Sequence, residues 1–282
     1  MTGNITLPCG IRASRGRGPF IYADYADNHV IWPGRKGALK RFVEQTYGGM
    51  RHKVRHSHSS NSEDALTWSC FDTLRQLDNH RRRRALSELW QLAFNGATIP
   101  PPVAGGEIKI GQVYDAGERT EVDVSIEGDG VLVFIEAKLY SPMSQSDTKR
   151  KRHNQIARKL RAGALVARER KAMFFFILLD LAPMEVLSQM HPRASAEEAR
   201  KAKASGFGAK WLTSWWFSYY KYGRNGSRSP LRTILEDTLA VGIDGKQIAE
   251  NMGWLTWADV FKTVLRAAIM DRPSVIRRRT LS

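Results

Sequence analysis

Cysteine is nearly absent. Cys9 and Cys70 are the two in 282 residues, and two so far apart make neither a disulfide framework nor a metal-ligand spacing. A reducing compartment, the cytoplasm, is expected. Acidic residues are scarce as well: 28 Asp and Glu face 44 Lys and Arg, a formal charge of +16 with a pI near 10.1. That excess points to a polyanionic partner, with nucleic acid ahead of an anionic membrane surface. Long hydrophobic runs are missing too. The longest, Ala172–Leu179, falls far short of the ~20 residues of a membrane span, and the opening residues carry no apolar core of a secretory signal. The expectation is a non-membrane protein of the cytoplasm, nucleoid-associated if the source is prokaryotic. No Walker-type phosphate loop or Rossmann glycine pattern is found, which argues against an ATP-driven translocase. No internal repeat is found either.

What is present divides into three parts. Residues 1–60 are rich in Gly, Arg, His and Ser and read as loops with short elements. Within them "RHKVRHSHSS" (51–60) reads as a solvated or phosphate-contacting loop, because His52, His56 and His58 have no evident fourth zinc ligand nearby. Residues 61–224 read as an α/β domain, and residues 230–282 as a helical C-terminal extension. Ser62 is a candidate N-cap, followed by Glu63 and Asp64 in a first turn where the helix dipole favours acids. A second helix, opened by "RRRR" (81–84), stops at Gly96. Three strands are predicted over Glu107–Tyr114, Thr120–Glu127 and Val131–Leu139, then a basic helix over Thr148–Arg168. The apolar run "AMFFFILLD" (172–180) reads as a strand covered on both faces. "WLTSWWFSYYKY" (211–222) reads as aromatic core before base-stacking surface. "GKQIAENMGWLTWADVFKTV" (245–264) reads as a helical pair before a helix-turn-helix.

The chemistry is expected in the hairpin 120–139. In "VLVFIEAKLY" (131–140), alternation puts Leu132, Phe134, Glu136 and Lys138 on one face and Val131, Val133, Ile135 and Ala137 on the other. In "TEVDVSI" the same rule sets Glu121, Asp123 and Ser125 against Val122, Val124 and Ile126. A two-residue turn at Asp129-Gly130 pairs Gly128 with Val131. Asp123 then lies opposite Glu136, and Glu121 opposite Lys138, at a Cβ spacing of about 4.5–5.5 Å. Two carboxylates so close repel unless a cation lies between them. Oxygen donors favour a hard ion, Mg²⁺ with Mn²⁺ as a substitute. A lysine beside such an ion suits phosphodiester hydrolysis, because it can orient water or stabilise developing charge. An exposed cross-strand ion pair is the alternative, and the apolar Leu132 and Phe134 on the same face weigh against it.

Asp123, twelve intervening residues, then Glu136-Ala137-Lys138 resembles the PD-(D/E)XK nuclease superfamily. So does the order helix, three-stranded meander, helix, strand over about residues 62–180. The resemblance implies a restriction-endonuclease-like fold and a nuclease, with endonuclease placed ahead of exonuclease and DNA ahead of RNA. Asp123 and Glu136 match its metal-binding acids, Lys138 its catalytic lysine, and the Ala137 carbonyl a further metal ligand. Glu63 is the candidate for an acid from the first helix, with Asp64 second. Gln155 matches a glutamine that some members carry on the following helix. The tyrosine that accompanies it in the RecB-like branch is absent, and no Pro precedes Asp123. On the predicted basic helix, Lys149, Arg150, Arg152, Arg158 and Lys159 are candidates for backbone-phosphate contact. A homodimer would suit cutting of two strands. The competing reading is a catalytically inactive nucleic-acid-binding protein on a nuclease-like scaffold.

Overall fold

The computed structural model describes residues 4–6, 12–14, 20–45, 52–94, 96–116, 119–139, 145–148, 151–180, 247–248 and 251–269. Two short strands, β1 (Asn4–Thr6) and β2 (Arg12–Ser14), pair with each other. Helices α1 (Lys36–Val43) and α2 (His52–Ser57) follow, so the histidine-rich stretch is helical rather than a loop. Val54 is buried there with Leu39, Phe42, Val43 and Trp68. The apolar side of α2 therefore supplies what its polar composition concealed.

Helix α3 (Glu63–Gln76) begins as its sequence requires: the Ser62 hydroxyl accepts the Ala65 N–H at 3.1 Å. Asp78 caps α4 (Asn79–Ala93) in the same manner, accepting from the Arg81 N–H at 2.9 Å. A short α5 (Pro101–Ala104) leads into β3 (Glu107–Asp115), β4 (Arg119–Gly128) and β5 (Val131–Ala137). A small hairpin, β6 (Gln145–Thr148) with β7 (Lys151–Asn154), precedes α6 (Gln155–Glu169). The predicted basic helix is thus shorter at its start. Polar, donor-rich residues there pair as strands, and Arg152 lies in β7 rather than on a helix. Lys149 and Arg150 lie outside the described residues.

The main sheet has the order β3-β4-β5-β8-β9, with β8 at Met173–Asp180. β3, β4 and β5 form an antiparallel meander, and β8 runs parallel to β5. α6 is the crossover between them, as parallel neighbours require. The fifth strand, β9 (Met252–Thr256), pairs parallel with β8. This corrects the reading of residues 230–282 as a helical extension. Met252 to Leu255 are buried in the sheet, and α7 (Trp257–Ile269) follows at once. The strand also interrupts the spacing of the helix-turn-helix and of the helical pair. The aromatic stretch 211–222 lies outside the described residues.

Both faces of the sheet are covered. On one, Leu132, Phe134, Phe176 and Leu178 pack against Ile156, Leu160 and Ala164 of α6. On the other, Val133, Ile135, Ile177 and Leu255 meet Phe71, Leu74, Leu89, Trp90 and Val260 from α3, α4 and α7. Cys70 lies in this second layer, where burial pushes its thiol up to about 12. Among the described residues no helix is long and apolar enough to cross a membrane.

Candidate active site at the end of the meander

The β4–β5 register is the expected one, with Gly128 opposite Val131 and Val124 opposite Ile135. In the turn, Gly130 alone takes a positive φ, 65°. Pairing stops after Val124–Ile135. The next residue on β4, Asp123, instead accepts the Ala137 N–H on its Oδ2 at 2.8 Å. The Lys138 N–H donates to the Leu179 carbonyl at 2.7 Å, and its own carbonyl accepts from Trp257 Nε1 at 3.0 Å. β5 thus parts from β4 but stays with β8, and the gap at its C-terminal end is where the charged side chains gather.

An irregularity in β3 shapes that gap. Ile110 pairs with Val124 and Gln112 with Val122, but the pairing is interrupted at Gly111 and Asp123. Gly111 has φ 65°, and a Cβ there would lie 2.8 Å from Lys53 Nζ and 2.9 Å from Phe42 Cε2. The interruption reverses the sides. Val122 packs with Phe134 on the α6 side, whereas Val124 packs with Ile135 on the other. The expected single face for Val122, Val124 and Ile126 is therefore broken. The space left by the missing Cβ admits Lys53 from α2. Its ammonium pairs with Glu121, donates to Gln45 Oε1 at 3.2 Å and lies 4.1 Å from the Phe42 ring centre. Gly111→Ala should force both the backbone and Lys53 to move. We expect a loss of about 1–3 kcal/mol, read as a lower urea midpoint. An unchanged midpoint would show that the strand absorbs the methyl without strain.

Glu121 consequently engages Lys53, not Lys138 as the extrapolated register implies. Lys138 lies between Glu136 Oε1 at 3.1 Å and Glu63 Oε1 at 3.4 Å. Glu63 also accepts the Leu139 N–H on Oε2 at 2.8 Å. It therefore clamps the lysine segment. Asp64, one residue on, has no hydrogen bond or ion pair with a described residue, and it feels the charges of Asp123, Glu63 and Glu121. Burial, reinforced by those three acids against the pull of Lys53, raises its carboxyl to about 7. Of the two first-helix acids, Glu63 contacts Lys138 and the Leu139 amide, and Asp64 lies among the charges of Lys53, Asp123, Glu63 and Glu121.

Glu136 is wholly buried, and both of its oxygens are engaged. Gln155 Nε2 donates to its Oε1 at 2.8 Å, and Lys159 pairs with its Oε2. Gln155 and Lys159 stand four apart on α6, one turn of the same face. Lys159 is also 3.9 Å from Asp123 Oδ2. It is therefore not a surface phosphate contact but part of the charged cluster. Its place within the buried run Ile156, Ala157, Lys159, Leu160 was the available signal. Arg158, next to it, is half-buried with its Nε enclosed. Burial works against ionisation of Asp123, but Lys159, Lys138, the Ala137 amide and Lys53 outweigh it and hold its carboxyl below the usual range. The Arg81–Arg84 run lies elsewhere. Arg83 is beside Gly105, and α5 packs on the β4–β5 turn, about 20 Å along β5 from Glu136.

The cluster holds the carboxylates of Glu63, Asp64, Glu121, Asp123 and Glu136, and the ammoniums of Lys53, Lys138 and Lys159. Fully ionised, it is short by two positive charges, the charge of one Mg²⁺ or Mn²⁺. The unpartnered Asp64 and the outer oxygen of Asp123 are hard donors of the kind such an ion takes. Among the described residues no group of three or more His, Cys, Asp or Glu side chains is placed to hold a metal. The match to a divalent ion is one of donor chemistry and charge balance, with the ammoniums of Lys138 and Lys159 lying against Glu136. No family model matches the chain, and no curated protein or solved structure is significantly similar to it.

Proposed function

We propose that the protein is a metal-dependent nuclease of the PD-(D/E)XK type, acting on DNA as an endonuclease, on a restriction-endonuclease-like core. One observation carries this reading. Acids from α3 and β4, the Glu136–Lys138 segment of β5 and two side chains of α6 converge where β4 and β5 part. The net charge of +16 supports a polyanionic substrate, whose backbone it would attract without regard to sequence.

Asp64, Asp123, Glu136 and the Ala137 carbonyl would hold the Mg²⁺, whose part is to polarise the scissile phosphate. Lys138 is held by Glu63 on one side and Glu136 on the other. From there its ammonium can orient the attacking water or donate to a phosphate oxygen as charge develops. Gln155 fixes the Glu136 carboxylate. A cluster placed at the end of a sheet, with Asp123 and Glu63 partly exposed, is open to a polymer too large to be enclosed.

The engagement of both Glu136 oxygens by Lys138, Gln155 and Lys159 favours a second reading, a metal-free nucleic-acid-binding protein. Incubation of supercoiled plasmid, single-stranded DNA and RNA with Mg²⁺, Mn²⁺ or EDTA separates the two. Nicking or linearisation of plasmid with either metal, abolished by EDTA, is the expected outcome. Tight binding that is indifferent to EDTA, with no cutting of any substrate, would favour the second reading.

A further inference from the structure

We propose that Lys159 is a resident counter-ion of the metal site: its ammonium holds Asp123 and Glu136 together, and it must leave Glu136 before a divalent ion can bind there. The inference rests on the nuclease reading and adds a gate to it. Metal and substrate then bind cooperatively, because a nucleic-acid phosphate offers the displaced ammonium a new partner.

The geometry is that of a competitor. Lys159 is fully buried, pairs with Glu136 Oε2 and stands 3.9 Å from Asp123 Oδ2. It thus occupies the position between the two acids that an ion would take. The remaining Glu136 oxygen, Oε1, is shared by Gln155 at 2.8 Å and Lys138 at 3.1 Å. Both oxygens of Glu136 are engaged while Lys159 stays, and Lys159 holds the one that neither Gln155 nor Lys138 contacts. The other side of the cluster is more open, since Asp123 and Glu63 keep about a quarter of their side-chain surface exposed. An ion can enter there beside Asp123.

Lys159 is held inside by Glu136 and Asp123, the acids its ammonium meets. A cation entering beside those acids weakens the attraction that keeps the ammonium inside. Two positive charges competing for one carboxylate in a poorly solvated site repel strongly. Departure of Lys159 toward an incoming phosphate relieves the repulsion and brings a donor to the substrate.

Calorimetric titration of Mn²⁺ into the full chain, without nucleic acid, tests this independently of turnover. Lys159→Met is expected to bind Mn²⁺ at least about tenfold more tightly than wild type, because the competitor is gone. A phosphorothioate DNA duplex should tighten Mn²⁺ binding by wild type and leave Lys159→Met nearly unmoved. Lys159→Gln, which keeps a hydrogen-bond donor for Glu136 without the charge, should behave like the methionine variant and guards against misfolding of the latter. Unchanged or weaker Mn²⁺ binding by a folded Lys159 variant would overturn the gate while leaving the metal site intact. If Asp123→Asn binds Mn²⁺ as wild type does, with and without duplex, the ion binds elsewhere and the metal reading falls together with the gate.

Discussion

Plasmid cleavage by Lys138→Ala is expected to be about 10²–10³ times slower than by wild type, with little change in melting temperature. The backbone at this position is held independently of the side chain, by the Leu179 carbonyl on one side and Trp257 Nε1 on the other. Truncation therefore removes the ammonium without releasing the segment. Its two acids keep other partners. Glu63 retains the Leu139 N–H, and Glu136 retains Gln155 and Lys159. The predicted signature is a large loss of rate beside a small loss of stability, measured by a time course on supercoiled DNA and by circular dichroism melting of the same preparations. Equal rates for the two proteins would remove Lys138 from the chemistry and, with it, the main reason for reading this cluster as a nuclease site.

The second large effect is on stability. Glu136→Leu should destabilise the fold by about 3–5 kcal/mol, because it leaves Lys159 buried with Asp123 as its nearest acid at 3.9 Å. The wholly buried pair contributes little net stability when intact, since desolvating both charges offsets their attraction. Breaking it exposes the full cost of one unpaired charge. Adding Lys159→Met to the same chain should recover most of the loss, although cleavage stays abolished. Urea titrations of the wild type, both single variants and the double variant complete the cycle. Additive single effects would mean that the two side chains are not energetically coupled, contrary to their contact.

Much of this was legible in the sequence for local reasons. The Asp129-Gly130 turn and strict alternation were enough to set the β4–β5 register, because turn length fixes pairing in a hairpin. The Ser62 cap and the apolar run of β8 are equally local signals. What escaped depends on long-range packing. Lys159 looked like one cation among many on a basic helix. Its distinction, contact with Glu136 23 residues away along the chain, exists only once α6 lies across the sheet. Lys53 was hidden in a polar, histidine-rich stretch, and its path into the cluster depends on a missing Cβ at Gly111. That same glycine broke the alternation that placed Val122 beside Val124. β9 is short and apolar, a pattern shared by strands and buried helix segments, and its neighbours on both sides read as helical.

The late position of β9 in the chain has a consequence for synthesis. β8, with its unpaired edge Phe176–Asp180, is complete at residue 180, but its partner Met252–Thr256 emerges only after residues 181–251 have been translated. At about 5–20 residues per second the ribosome holds the chain in that state for roughly 4–14 s. During this interval an apolar strand edge of the kind that templates aggregation lacks its mate, and Trp257 has yet to reach the Lys138 carbonyl. The Trp257 hydrogen bond to the Lys138 carbonyl therefore forms only after β9 has emerged.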